Sequence, residues 1–271
     1  MDLLFAINQG YTKPFLRCMT SVLRNGGFDR YCVHILHSDL HLEDQTALQT
    51  ALGSRVQCSF YQVDPALFEG FPESKRYPRQ IYYRLAAPLL LPESLDRVLY
   101  LDADTIVINS LIPLSQEDFG DSCFMACTHT RKALSRLNQV RLGVGKDVPY
   151  INTGVMVYNL PALRQNLRLE DIRRWAESGR PLLLPDQDIL TALYGDRVKL
   201  LDDLIYNLSD RILSFHNADP RRAPIDLDWV RKNTVVIHYC GKRKPWGPNY
   251  SGVLGVFYYA LFPQEAVHGT Y

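Results

Sequence analysis

Four short apolar runs, at residues 3–7, 32–36, 56–61 and 97–101, limit what this chain can fold into more than any other feature of it. They lack the alternation of a half-exposed strand, so they read as strands buried on both faces of a sheet. Between them, residues 14–24 and 42–52 carry apolar positions at roughly helical spacing, and Gly53 stands where the second helix would stop. Strands alternating with helices make βαβ units, hence an α/β, Rossmann-like, mainly parallel twisted sheet flanked by helices. Beyond Leu101 the regularity loosens, with candidate strands at 122–126, 155–158, 198–201 and 235–239 separated by longer irregular stretches. No repeat, low-complexity segment or Gly/Ser linker divides the chain. One compact domain over 1–271 is therefore expected, with a helical extension at 250–271.

Composition narrows the function classes. Lys plus Arg number 30 and Asp plus Glu 29, which lacks the basic excess of a nucleic-acid binder. Cys18, Cys32, Cys58, Cys123, Cys127 and Cys240 form no C-x-x-C pair, so they read as reduced thiols of a cytoplasmic protein. The start, MDLLFAINQG, lacks a basic region followed by a long apolar run, and no apolar stretch approaches the ~20 residues that cross a bilayer. The segment VLGVFYYALF at 253–262, near Lys242, Arg243 and Lys244, admits two readings: a weak peripheral contact at the inner membrane face, or a helix packed on the core. Its shortness and its lack of a basic face of its own favour the packed helix.

The run RVLYLDADTIV places Asp102 and Asp104 immediately past the fourth apolar run. Side-chain direction repeats every two residues in an extended chain, so both carboxylates can face one side and share a cation. Ligands of open α/β sheets also bind beyond the carboxyl ends of the strands. The spacing recurs at Asp186/Asp188 and Asp226/Asp228. There the ordinary reading is helix capping and favourable placement in the helix dipole, since Asp186-Gln187-Asp188 follows Pro185 and Asp228 precedes Trp229. The stretch Asp102-Ala103-Asp104-Thr105 also matches the D-x-D-x-T of haloacid-dehalogenase-type phosphatases. In those enzymes the motif usually ends the first strand, whereas here about three strand-like runs come first. Gly195-Asp196 and Asp202-Asp203 resemble their later acidic motif only loosely.

Far downstream, VVIHYCGKRKPW sets His238 at the end of an apolar run, with Gly241 and Lys244 shortly after it. A neutral imidazole nitrogen added to two carboxylates suits an Mn2+-like ion better than an all-oxygen calcium site. Gly241 lets backbone approach a phosphate closely, and Lys244 offers a point charge to a diphosphate. Singly, His238 also reads as a hydrogen-bonded core histidine, and Lys242 to Lys244 as a solvated basic turn.

In order along the chain, FAINQGY, QIYYRLAAPLLLP, LYLDADTIV, YINTGVMVYNL, LPDQDILTALYGD and HYCGKRKPW resemble glycosyltransferase family 8, which includes bacterial lipopolysaccharide galactosyl- and glucosyltransferases and the glycogenins. The resemblance covers nearly the whole chain. It implies a GT-A fold and retaining transfer of galactose or glucose from a UDP-hexose donor to a saccharide, glycolipid or glycoprotein acceptor, with Mn2+ or Mg2+. It implies Asp102, Asp104 and His238 as metal ligands, with Ala103 between the first two, and Gly241 and Lys244 at the diphosphate. Arg84 would lie near the donor, and Ala6, Ile7, Asn8 and Tyr11 would line the uridine pocket. Asn152 and Gly154 would border the donor sugar, while Asp186 and Gln187 would face its hydroxyls and anomeric region, which reverses the plain capping reading of Asp186. Residues 1 to about 110 would be the nucleotide-binding part and 111–249 the acceptor and donor-sugar part. Many relatives have an acidic pair where this chain has Asn8-Gln9. Asn8 offers a uracil N–H an uncharged acceptor, so altered base discrimination is expected.

Departure of a nucleoside diphosphate develops negative charge that the metal and Lys244 would stabilise in place of a general acid. Retention allows a double displacement, with Asp186 or Asp188 as nucleophile, or same-face attack beside Gln187. Gln187 presents only an amide oxygen and the aspartates have hydroxyl-binding or capping to do, so same-face attack is favoured. On the residues alone two further readings stay open, the metal-dependent phosphatase and a non-catalytic sugar-nucleotide-binding protein.

Overall fold

The structure, a computed structural model, describes residues 1–74, 77–129 and 132–268. Its strands are β1 (Asp2–Ala6), β2 (Tyr31–His37), β3 (Val56–Gln62), β4 (Arg97–Leu101), β5 (Thr105–Val107), β6 (Phe124–Cys127), β7 (Asn152–Asn159), β8 (Val198–Leu200) and β9 (Val236–His238). Seven form one sheet in the order β3-β2-β1-β4-β7-β6-β8, and β5 and β9 make a separate pair.

The run at 56–61 is not buried on both faces as expected: β3 is the sheet edge and only its Val56 is buried. The apolar runs of the inner strands have a direct cause. In β4, Val98 and Tyr100 enter the core on one face, with helix Tyr83–Leu90, while Leu99 and Leu101 enter the core on the other, with helix Thr12–Asn25. A strand covered on both sides has no position for a polar alternate. Helix Thr12–Asn25 buries Phe15, Cys18, Met19 and Val22, the one-face stripe of an amphipathic helix. Helix Leu42–Leu52 ends at Gly53, whose φ of 70° a side chain would strain.

The sheet is parallel between β3, β2, β1 and β4 and again between β6 and β8, but β7 runs antiparallel to both β4 and β6. That reversal positions the site. It brings the beginning of β7 to the sheet edge where β1 and β4 end, with Leu101 opposite Val155 and the Asp102 N–H donating to the Gly154 carbonyl at 2.7 Å.

β5 has no counterpart in the apolar pattern, because three residues directly after the acidic pair are too few to show a period. It pairs antiparallel with β9 in the register Thr105 to His238, which sets the histidine beside the two aspartates. The Tyr239 N–H donates to the Asp104 carbonyl at 3.0 Å and extends that pairing past the histidine.

Two capping expectations need correction. Asp226, not Asp228, caps helix Leu227–Asn233, accepting from the Trp229 N–H at 2.8 Å. Helix Pro185–Tyr194 has no side-chain cap from Asp186. The apolar C-terminal segment is packed: Leu254, Phe257, Tyr258 and Phe262 are buried with Ile237 and Tyr239, and Arg17 pairs with Glu265 at 3.0 Å. Residues 269–271 of that extension lie outside the described residues. Among those described, no helix is long and apolar enough to cross a membrane, and the six cysteines are free thiols.

Candidate active site

Beyond the ends of β1 and β4 lies a cavity of about 400 Å³. Ala6, Ile7, Asn8 and Tyr11 reach it from the segment after β1, Arg84 from helix Tyr83–Leu90, and Asp102, Ala103 and Asp104 from the end of β4. Asn152 and Gly154 reach it from the start of β7, Asp186 and Gln187 from the first turn of helix Pro185–Tyr194, and His238, Gly241 and Lys244 from β9 and its following turn. Six separated stretches of sequence thus line one space.

Each carboxylate is oriented by its neighbours. Tyr100 donates to Asp102 Oδ1 at 2.7 Å and Arg84 Nη2 sits 3.0 Å from the same oxygen, so Asp102 Oδ2 turns to His238 Nε2, 3.7 Å away. Asp104 Oδ1 is 3.2 Å from that nitrogen, while its Oδ2 accepts from the Lys244 ammonium, which also donates to the Tyr239 carbonyl at 2.6 Å. Burial alone would raise the Asp104 carboxyl, but His238 and Lys244 outweigh it and hold the group below the usual carboxylate range. Ligand atoms of Asp102, Asp104 and His238 all lie within 4.8 Å of one another. Two carboxylate oxygens and one imidazole nitrogen are a donor set that suits a first-row divalent cation.

Gly154 makes room for this cluster. A Cβ built there would lie 2.7 Å from His238 Nδ1 and 2.9 Å from Asp102 Oδ2, and would overlap His238 Cε1.

The guanidinium of Arg84 is buried over the Tyr100 ring, 4.6 Å from its centroid. It bridges Asp102 and Asp186, lying 3.4 Å from Asp186 Oδ2 and donating to the Thr153 carbonyl at 2.9 Å. Burial pulls its proton affinity down, and Asp102 together with Tyr100 and Asp186 more than reverses this, so it stays a fixed cation. Asp186 also accepts from the Thr153 hydroxyl at 2.6 Å.

Asp188 stands apart. Its carboxylate does not line the cavity: it takes two hydrogen bonds from Arg141, at 2.6 and 2.8 Å, one from Tyr150 at 2.7 Å, and those of the Leu183 and Leu184 N–H groups at 2.7 and 3.3 Å. Residues two apart on a helix point to nearly opposite sides, so Asp186 and Asp188 cannot share a cation as Asp102 and Asp104 can. Asp188→Ala would leave buried donors unpaired and is expected to cost about 3–5 kcal/mol. Denaturant unfolding measures this, and a cost below 1 kcal/mol would contradict an anchoring role.

Comparison with known proteins decides the class. The family model for "Glycosyl transferase family 8" matches residues 2–249. The chain belongs to glycosyltransferase family 8. It is thus a transferase of GT-A fold, and membership implies a nucleotide-sugar donor and a saccharide acceptor. The phosphatase reading of Asp102-Ala103-Asp104-Thr105 gives way to it. Among similar proteins, the lipopolysaccharide 1,2-glucosyltransferase of Escherichia coli is 26% identical over 89% of this chain and 72% of its own length. Galactosyltransferase LgtC, solved in complex with donor and acceptor sugar analogs, superposes with a TM-score of 0.80 at 27% identity, over 97% of this chain and 96% of its own. A second LgtC structure, at TM-score 0.81, 26% identity and coverage of 97% and 96%, carries an active-site glutamine-to-glutamate change.

Other residues of this family 8 site were not named as site residues from the sequence. Tyr77, Gln80, Ile81, Leu184, Cys240 and Lys242 line the cavity too, and Thr153 and Tyr100 fix its carboxylates. Thr153 and Tyr100 stood inside motifs already singled out, one position from Asn152 and two from Asp102. Gln80 and Ile81 open the QIYYRLAAPLLLP motif, and only for Tyr77 did no motif or period mark the segment.

Proposed function

We propose that this chain is a retaining hexosyltransferase that moves galactose or glucose from a UDP-hexose to a saccharide, glycolipid or glycoprotein acceptor, with Mn2+ or Mg2+. The observation that carries the reading is the convergence of Asp102, Asp104 and His238 with Lys244 on one cavity wall. A bound divalent ion supplies Lewis-acid stabilisation of the departing diphosphate.

The protein's own groups do the rest. Lys244 leaves Asp104 for the diphosphate, where its charge matters most as the leaving group becomes negative. Gly241 lets the backbone come close to the same oxygens. Asn8 lines the cavity with an Oδ1 that is buried and has no hydrogen-bond partner among the described residues, the kind of acceptor that a uracil N–H satisfies. Asp186, held by Arg84 and Thr153, faces the hexose hydroxyls, and Gln187 lies beside the anomeric carbon. The active-site glutamine of LgtC supports that place for Gln187. With Asp188 committed elsewhere and Gln187 offering only an amide oxygen, attack by the acceptor from the leaving-group face is favoured over a double displacement. Trapping a covalent glycosyl–enzyme on Asp186 or Asp188 would contradict it.

Burial raises the Asp186 carboxyl above its ordinary value, a shift that Arg84 and Thr153 only partly offset. A raised folded-state value means that the native protein holds this proton more tightly than the unfolded chain. Stability contributed by the group is therefore present at acid pH and lost as pH rises from the unfolded value through the folded one. Asp186→Asn should flatten that part of the Tm–pH curve and leave neutral-pH Tm equal or higher, while transfer falls by about 10²-fold. A neutral-pH Tm well below wild type would count against this account of Asp186.

A hydrolysis screen of UDP-, GDP- and ADP-sugars with and without Mn2+ tests the function. UDP-galactose or UDP-glucose turnover that needs the metal is the expected result. Turnover of p-nitrophenyl phosphate with none of any sugar nucleotide would overturn it.

A further inference from the structure

Behind the ligand face of His238 lies a hydrogen-bonded chain whose polarity is set at one end. The Gly154 backbone N–H, which can only donate, lies 3.0 Å from Asn152 Oδ1, so the oxygen of that amide must be the atom facing it. Asn207 meets the same oxygen at 2.8 Å and must therefore present Nδ2–H to it. That orientation turns Asn207 Oδ1 to His238 Nδ1 at 2.9 Å, and only a protonated Nδ1 can answer an oxygen. Asn207 is fully buried, and its carbonyl accepts from His129 Nε2 at 2.8 Å, so its backbone is held as well as its side chain. The neighbouring Leu208 carbonyl accepts from the His238 N–H at 2.7 Å, which ties the two segments together.

We propose that Asn207 is a positioning residue which, oriented through Asn152 by the Gly154 N–H, keeps the proton of His238 on Nδ1 and so reserves the Nε2 lone pair for the divalent cation. This role rests on reading Asp102, Asp104 and His238 as one ligand set. Outer partners of ligating histidines commonly fix the ring in this way, and losing one typically weakens metal binding 10–100-fold. The amide at position 207 both accepts from the imidazole and donates to Asn152, whereas a carboxylate there keeps the first of these contacts and loses the second.

Two measurements test it. In the full-length wild-type protein, long-range 1H–15N correlation spectra, assigned with His238→Gln, read which ring nitrogen is protonated. Nδ1 carrying the proton is expected, and a neutral ring protonated on Nε2 alone would overturn the proposal. This readout needs neither transfer nor metal. In the second, Mn2+ titrations followed by electron paramagnetic resonance compare wild type with two variants. Asn207→Leu should bind Mn2+ roughly 10–100-fold more weakly, with kcat restored at saturating Mn2+. Asn207→Asp, which still accepts from Nδ1–H, should recover most of the affinity. A folded Asn207→Leu that binds Mn2+ like wild type, or an Asn207→Asp as weak as a misfolded leucine variant, would overturn it. Wild type that binds Mn2+ yet turns over no UDP-hexose would instead count against the proposed function, with the Asn207 result standing.

Discussion

Asp104→Asn should abolish metal-dependent transfer while leaving the fold intact. The amide removes one of two anionic ligand groups and half of the charge that the carboxylate pair presents to a divalent ion. Its oxygen can still accept from Lys244, so the turn after β9 keeps its anchor. Lewis-acid assistance is worth several kcal/mol of transition-state charge stabilisation, so kcat/KM should fall by on the order of 10³-fold or more. The circular dichroism spectrum and the unfolding transition should stay close to wild type. Transfer retained within tenfold would show that the ion, if bound, is held by other groups.

Gly154→Ala is expected to be as damaging, for a steric reason. The new methyl group would enter the space of the His238 ring and of Asp102 Oδ2, and none of these can easily retreat. The imidazole is buried and hydrogen-bonded to Asn207, Asp102 is fixed by Tyr100 and Arg84, and Gly154 itself lies within β7. Relief must come from shifts of the strand or of the histidine, at a cost of about 1–3 kcal/mol in stability. Any shift also spoils the three-ligand geometry. Mn2+ binding should therefore fall at least as far as in Asp104→Asn, with a lower Tm that the aspartate variant does not show. A Gly154→Ala protein with normal Tm and normal Mn2+ affinity would mean that the cluster has slack the structure does not reveal.

What could be read in the chain beforehand follows from which signals are local. Strands β1, β2 and β4 announced themselves because burial on both faces leaves a nearly unbroken apolar run, and Asp102 and Asp104 stood out because they end one. The approach of His238 was not local. It depends on β5 and β9, each three residues long, pairing across about half of the sequence, and on β7 reversing direction to bring Asn152 and Gly154 to the same edge. Those residues were placed by resemblance to family 8, not by periodicity. Asn207 had no signal at all, since a single asparagine in an irregular segment becomes meaningful only through its partners. Asp188 was offered beside Asp186 as a possible nucleophile although both were placed at a helix start. In a strand their spacing puts two groups on one side, and on the first turn of a helix it parts them.

Calorimetric titration of UDP into the wild-type protein, with Mn2+ and then with excess chelator, tests the metal–diphosphate site most directly, with Asp104→Asn as the parallel sample. The site predicts that UDP binds wild type in the presence of Mn2+, that chelation weakens it by at least tenfold, and that Asp104→Asn behaves like the chelated protein whether or not Mn2+ is added. UDP binding of equal strength in all of these samples would contradict a site in which Asp102, Asp104 and His238 hold the cation that receives the diphosphate.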